Sequence, residues 1–113
     1  MFIKNIVNLT PHEINFFMGE EKKISVQPSG TVARAKTSRQ AIGSIELDGI
    51  ELPINKTEFG SVEGLPDPEH GTIFIVSAIV AKAVPDRDDI FIVDDAVRDN
   101  LGRIIGARAI ARV

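Results

Sequence analysis

The chain has 113 residues, 43% of them hydrophobic and 26% charged, the proportions of one ordinary globular domain and far from those of a disordered chain. It has no cysteine, which excludes disulfides, thiolate zinc sites and cysteine nucleophiles. Thirteen Lys and Arg against sixteen Asp and Glu leave a net charge of −3, which argues against a protein that coats nucleic acid by bulk charge. The longest strongly apolar stretch, Thr72 to Val84, is broken by Lys82 and falls short of the ~20 residues of a membrane helix. The opening MFIKNIVNLTPH has no long apolar run and no small-residue cleavage site, so the expectation is a single cytoplasmic domain over residues 1–113 without a secretory signal.

Glycine and proline divide the chain into short runs, which favours strands. Phe2 to Leu9 is apolar and β-branched and is broken by Thr10-Pro11-His12; Glu13 to Met18 resumes, and Gly19-Glu20-Glu21 forms a turn. Lys22 to Gln27 alternates Ile24 and Val26 with polar residues, the period of a half-buried strand. Pro28-Ser29-Gly30 reads as a turn before Thr31 to Lys36. Ser44 to Ile54 predicts a hairpin, because Asp48-Gly49 stands between alternating runs. Phe59 to Gly71, with three glycines and two prolines, reads as an irregular connection. Thr72 to Ser77 predicts a buried strand. Ala78 to Val84 suits a short helix ending before Pro85 or an extension of that strand, and the helix is favoured. Ile90 to Val93 predicts a short strand, and Asp99-Asn100-Leu101-Gly102 a tight turn.

Charge is unevenly distributed. Lysine ends at Lys82 and glutamate at Glu69; from Pro85 onward every charged side chain is Asp or Arg. If Ile104 to Val113 is extended, Ile105, Ala107, Ala109, Ala111 and Val113 form a small apolar face. Arg108 and Arg112 then share the other face, ~13 Å apart at strand rise. Arg98 would approach them across the turn, and three guanidinium groups on one face suit a compact, multiply charged ligand. The plainer alternative makes these arginines solvated partners of the preceding aspartates.

The remaining chemistry is thin. His12 and His70 lack metal-ligand spacing and have no evident nucleophile to serve. The aspartates of Asp86 to Asp89 and Asp94-Asp95 fit no calcium-loop pattern, and Arg87 among them suggests an ion-pair scaffold. Neither GxxxxGK[ST] nor GxGxxG occurs, so no metal or cofactor is expected. With six phenylalanines and no tyrosine or tryptophan, stacking on extended single strands is disfavoured. Phe74 and Phe91 read as core residues, with stacking of one of them on a base as the alternative.

These residues carry a resemblance. Asn8-Leu9-Thr10-Pro11-His12, Pro28-Ser29-Gly30, Ala33-Arg34, Gly64-Leu65-Pro66, Gly71-Thr72, Ile75-Val76-Ser77, Arg87-Asp88, Val97-Arg98-Asp99, Gly102 and Ile104-Ile105-Gly106 resemble the phage Thoeris anti-defence family of the first type. Membership would imply a sponge that sequesters cyclic ADP-ribose isomers, and in some members cyclic oligonucleotides, without cleaving them. It would also imply dimers or larger homo-oligomers with pockets at subunit interfaces, acting in the cytoplasm of the infected bacterial host. On that resemblance Arg98, Arg108 and Arg34 or Arg112 are expected at the pyrophosphate, with Arg87 nearby. Phe74 is expected against the base, and Ser77, Asp88 or Asn100 at hydroxyls. A sponge needs no catalytic residue, metal or cofactor, and neither DNA nor a membrane is expected as a partner.

The fold expectation is an α+β, β-dominated small single domain of short antiparallel strands and hairpins with one short helix. Its exposed strand edges and Ala-rich face favour at least a homodimer. Two rivals stand beside the sponge. One is a small phosphodiesterase using His12 or His70 with the aspartates; the other is a phage structural or interaction protein without a small ligand.

Overall fold

The computed structural model of the chain describes residues 3–113. Its elements are β1 (Asn5–Asn8), β2 (Ile14–Phe17), β3 (Lys23–Val26), β4 (Arg34–Leu47), β5 (Ile50–Glu63), β6 (Thr72–Ile75), α1 (Ala78–Ala83), β7 (Ile90–Arg98) and β8 (Ile104–Ala111). The result is a small β-dominated domain with one short helix, as the runs of alternating residues predict. Phe2, the first residue of the predicted opening run, lies outside the described residues.

Six strands form one sheet in the order β1-β6-β7-β8-β2-β3. The hairpins β2–β3 and β7–β8 are antiparallel, whereas β1–β6, β6–β7 and β2–β8 are parallel. Parallel neighbours need a crossover, and between β6 and β7 it is α1 that provides one. The sheet nearly closes on itself at Asn8. The Ser29 amide donates to the Asn8 carbonyl at 2.9 Å, and Asn8 bridges Pro28 in parallel register.

All four residues of β6 are buried, the condition of a central parallel strand covered on both faces. On one side Phe74 and Val76 pack with Leu9, Ala33, Val80, Ala81 and Ile90. On the other, Ile75 packs with Phe16 and Ala107. The helix forms as predicted. The Ser77 hydroxyl accepts from the Val80 amide at 3.4 Å, satisfying one donor of the first turn. The helix stops at Ala83, because Pro85 disfavours helical geometry at Val84.

The hairpin is much longer than its turn signal announces. Asp48 and Gly49 adopt left-handed φ values of 51° and 79°, the backbone of a tight two-residue turn, and pairing then continues back to Arg34–Glu63. The predicted irregular stretch from Phe59 is therefore strand as far as Glu63 and irregular only beyond it. The glycine there marks a bulge, with Gly60 and Ser61 opposite Lys36. A second bulge leaves Ile42 unpaired. Only the base of this arm, Ala35 and Val62, packs on the core. The radius of gyration is 17.9 Å, against roughly 13 Å for a compact chain of this length. No helix among the described residues is long and apolar enough to cross a membrane.

Candidate functional site

The run Asn8-Leu9-Thr10-Pro11-His12 is a loop locked by one buried amide. Asn8 is 1% exposed. Its Nδ2 donates to the carbonyls of His12 (2.7 Å) and Val26 (3.1 Å), while its Oδ1 accepts from the Thr10 amide (2.9 Å) and hydroxyl (2.6 Å). Four bonds use the amide fully, fixing the loop against β3. Sequence reasoning missed Asn8 as the organiser, although an Asn with a hydroxyl residue two positions on is a recognisable local hydrogen-bonding pattern.

Against that loop lies a recess of about 270 Å³, walled by Leu9, Pro11, Ala33, Ile79 and Val80, with Thr10, Arg34 and Ser77 as its polar groups. Arg34 starts β4 and Ser77 caps α1, so the arm base and the crossover bring together two residues expected at the ligand. Arg34 is exposed and makes no ion pair among the described residues. The recess therefore combines a guanidinium fork suited to phosphate oxygens with hydroxyls and an apolar wall.

The other expected residues do not join them. Phe74 is 2% exposed inside the core, so it offers no wall to a ligand; its role is packing. Arg87 is committed to structure. Its Nε and one terminal nitrogen donate to both oxygens of Asp89 at 2.8 Å, and the same terminal nitrogen reaches the Pro66 carbonyl at 3.0 Å. Those bonds hold the Asp89 carboxyl below the ordinary carboxylate range. Arg112 donates to the Arg87 carbonyl at 3.0 Å. Arg98 ties off the β7–β8 turn by donating to the Gly102 carbonyl at 2.7 Å. Asn100 is exposed in that turn, which Asp99 braces by accepting from the Arg103 and Leu101 amides. These bonds lower the Asp99 pKa. Arg108 is exposed and stands 3.7 Å from Asp95.

The expected convergence of arginines is thus corrected within a protomer. Arg98 is in register with Ile104, so at strand rise Arg108 lies roughly 13 Å and Arg112 roughly 27 Å further along. Spacing along one strand put them on a line, not around a point.

Asp88 lines a separate cavity of about 570 Å³ with Lys4, Glu69, His70, Thr72 and Asp89. There the buried Thr72 hydroxyl has no hydrogen-bond partner, a feature no sequence signal exposes. His12 lines a third recess, between β2 and β8, so the two histidines serve different surfaces. No group of three His, Asp or Glu among the described residues is placed to hold a metal. Comparison with protein-family models, curated proteins and solved structures gives no match.

Proposed function

We propose that this chain is a binding protein that sequesters a compact cyclic nucleotide, of the cyclic ADP-ribose class, and releases it uncleaved. The observation that carries the reading is the meeting of Arg34 and Ser77 in one open recess whose remaining wall is largely apolar. The guanidinium pairs with the pyrophosphate, the hydroxyls of Ser77 and Thr10 meet ribose hydroxyls, and the aliphatic wall covers a ring face. At about 270 Å³ the recess falls just below the roughly 300–1,000 Å³ of ordinary ligand pockets. Part of the ligand therefore stays open to a neighbouring subunit, in keeping with the resemblance to phage anti-defence sponges. The three candidate sites of acid–base chemistry, His12, His70 and the aspartates, lie outside it, which favours holding over cleavage.

Calorimetry with cyclic ADP-ribose isomers and cyclic dinucleotides, followed by mass analysis of what heat denaturation releases, tests the reading. Stoichiometric uptake and intact ligand are expected. Replacing Arg34 by Ala should weaken binding on the order of 10- to 100-fold, the worth of a charge-assisted hydrogen-bond pair. Hydrolysed product, or binding unchanged by Arg34→Ala, refutes it. A structural or interaction protein without a small ligand is the second reading, favoured by the exposed apolar arm. Silence across the whole nucleotide panel would select it.

A further inference from the structure

The polar groups of the recess, Thr10, Arg34 and Ser77, differ in what they can offer a ligand. Thr10 and Pro11, on the loop side, have no donor to spare, and the buried Asn8 amide is the reason. Its Nδ2 faces two carbonyls, those of His12 and Val26, and its Oδ1 takes the Thr10 amide at 2.9 Å. The oxygen end of the amide therefore points at Thr10, and it can only accept. Because the Thr10 hydroxyl lies 2.6 Å from that oxygen, it must donate its single proton there. The other close partner of the hydroxyl, the His12 carbonyl at 3.1 Å, is also an acceptor. Pro11 has no amide N–H at all. Toward a ligand, Thr10 offers only lone pairs.

Arg34 and Ser77 are the reverse. A guanidinium can only donate. The Ser77 hydroxyl already accepts from the Val80 amide at 3.4 Å, and its own proton has no protein acceptor among the described residues. One residue holds all three groups in register. The Leu9 amide donates to the Ile75 carbonyl at 2.9 Å, and the Leu9 carbonyl accepts from the Ala33 amide at 3.0 Å. Thr10, Arg34 and Ser77 each stand within two residues of those bonds, so their backbones keep one fixed relation before any ligand arrives, which lowers the ordering cost of binding.

We infer that Thr10 is a specificity-determining residue, an obligate acceptor that selects ligands carrying a hydroxyl or amino donor beside their phosphate. This role rests on the nucleotide reading of the recess and narrows the ligand it takes. A phosphate oxygen satisfies Arg34 and Ser77, but at Thr10 it meets lone pairs with lone pairs. Bare polyphosphates and dicarboxylates are disfavoured for that reason. A ribose hydroxyl satisfies Thr10, whereas a deoxyribose leaves it without a partner, so the recess separates ribonucleotides from their deoxy forms. The recess is open, and water can replace a lost partner. The discrimination is therefore that of one exchanged hydrogen bond, roughly 10-fold, and not the far larger factor of a closed site.

Calorimetry on the full chain tests this with cyclic ADP-ribose isomers and analogues in which each ribose hydroxyl in turn becomes hydrogen, fluorine or an amine. One hydroxyl is expected to couple to Thr10. Replacing it by hydrogen or fluorine, which removes the donor, should weaken binding to the wild type about 10-fold. The amine keeps a donor and should bind within about 3-fold of the parent. In Thr10→Val the parent and its hydrogen analogue should bind alike, and in Thr10→Ser the wild-type preference should return. The wild-type series needs no variant, so it decides the matter even if Thr10→Val fails to fold. A loosened loop would weaken every analogue equally, so a Thr10→Val chain that keeps the wild-type preference overturns the assignment. So does a wild type indifferent to every replacement, or one that keeps the fluorine analogue and loses the amine, which would make Thr10 a donor. Uptake that depends on Arg34 without coupling to Thr10 removes this assignment alone; no uptake of any isomer removes the nucleotide reading and this role with it.

Discussion

Replacing Asn8 by Ala removes the side-chain amide that locks the loop after β1 against β3. Four hydrogen bonds disappear, two donated to the His12 and Val26 carbonyls and two accepted from Thr10. At a net contribution of about 1 kcal/mol each, the upper figure is about 4 kcal/mol. The Thr10 hydroxyl keeps its bond to the His12 carbonyl at 3.1 Å, so the expected loss is about 3 kcal/mol. For a domain of this size that lowers the melting temperature by about 12 °C. Urea unfolding followed by circular dichroism should show the midpoint falling with an unchanged slope, since the surface exposed on unfolding is the same. Asn15→Ala is the control. Asn15 accepts a single, exposed bond from Ser25 at 2.7 Å, and its loss should stay within about 1 kcal/mol. A cost below 1 kcal/mol for Asn8→Ala would mean that the loop is held by something other than this amide.

Two further outcomes follow from local geometry. Arg87→Leu should cost about 2 kcal/mol at pH 7, because the pair with Asp89 is bidentate and mostly buried. The folded-state pKa of Asp89 lies below its unfolded value, so this contribution is present above about pH 4 and is lost as pH falls through the folded pKa. The wild-type and variant stability curves, measured by urea unfolding from pH 7 to pH 2.5, should therefore converge on the acid side; parallel curves would refute the assignment. Gly106→Ala should cost about 3 kcal/mol in the same assay, since a Cβ there runs into the Phe17 ring and the Asn15 carbonyl and forces β8 away from β2. Neutral behaviour would show that the two strands separate freely.

What was legible in the sequence was local. Asp48-Gly49 announced its turn, Ser77 and Pro85 bracketed the helix, and Asp99 with Gly102 marked the β7–β8 turn, because each depends on backbone preferences a few residues long. The parallel pairings of β1 with β6 and of β2 with β8 join segments far apart in the chain and leave no such mark. The arm's extent was hidden for a related reason. Its flanks are exposed on both faces, so residues such as Lys36, Thr57 and Glu58 show no core-facing alternation, and Gly60 looked like a break when it is a bulge. At the candidate site, sequence reasoning names Arg34 and Ser77, which the fold brings to one recess, but equal facing along a strand does not make Arg98, Arg108 and Arg112 converge on a point. Phe74 reads as a core residue, with a ligand contact only as the alternative that the resemblance adds, and its neighbours Ile73, Ile75 and Val76 mark a strand buried on both sides.

The bulges divide the arm into zones that do different work, and this can be tested by shortening it. The base, with Ala35 and Val62, belongs to the core and carries Arg34 at the recess. The segment beyond Ala41–Asn55 contributes no residue to either core cluster. Joining Ala41 to Asn55 through an Asn-Gly turn should therefore leave the unfolding free energy within about 1 kcal/mol of wild type, since the lost contacts are within the ribbon and the shorter loop costs less to close. The radius of gyration by small-angle scattering, measured on monomer, should fall from 17.9 Å toward the roughly 13 Å of a compact chain. Nucleotide uptake through Arg34 should persist. A loss above 2 kcal/mol would mean that the tip supports the fold, and its exposed aliphatic face would then need no partner to account for it.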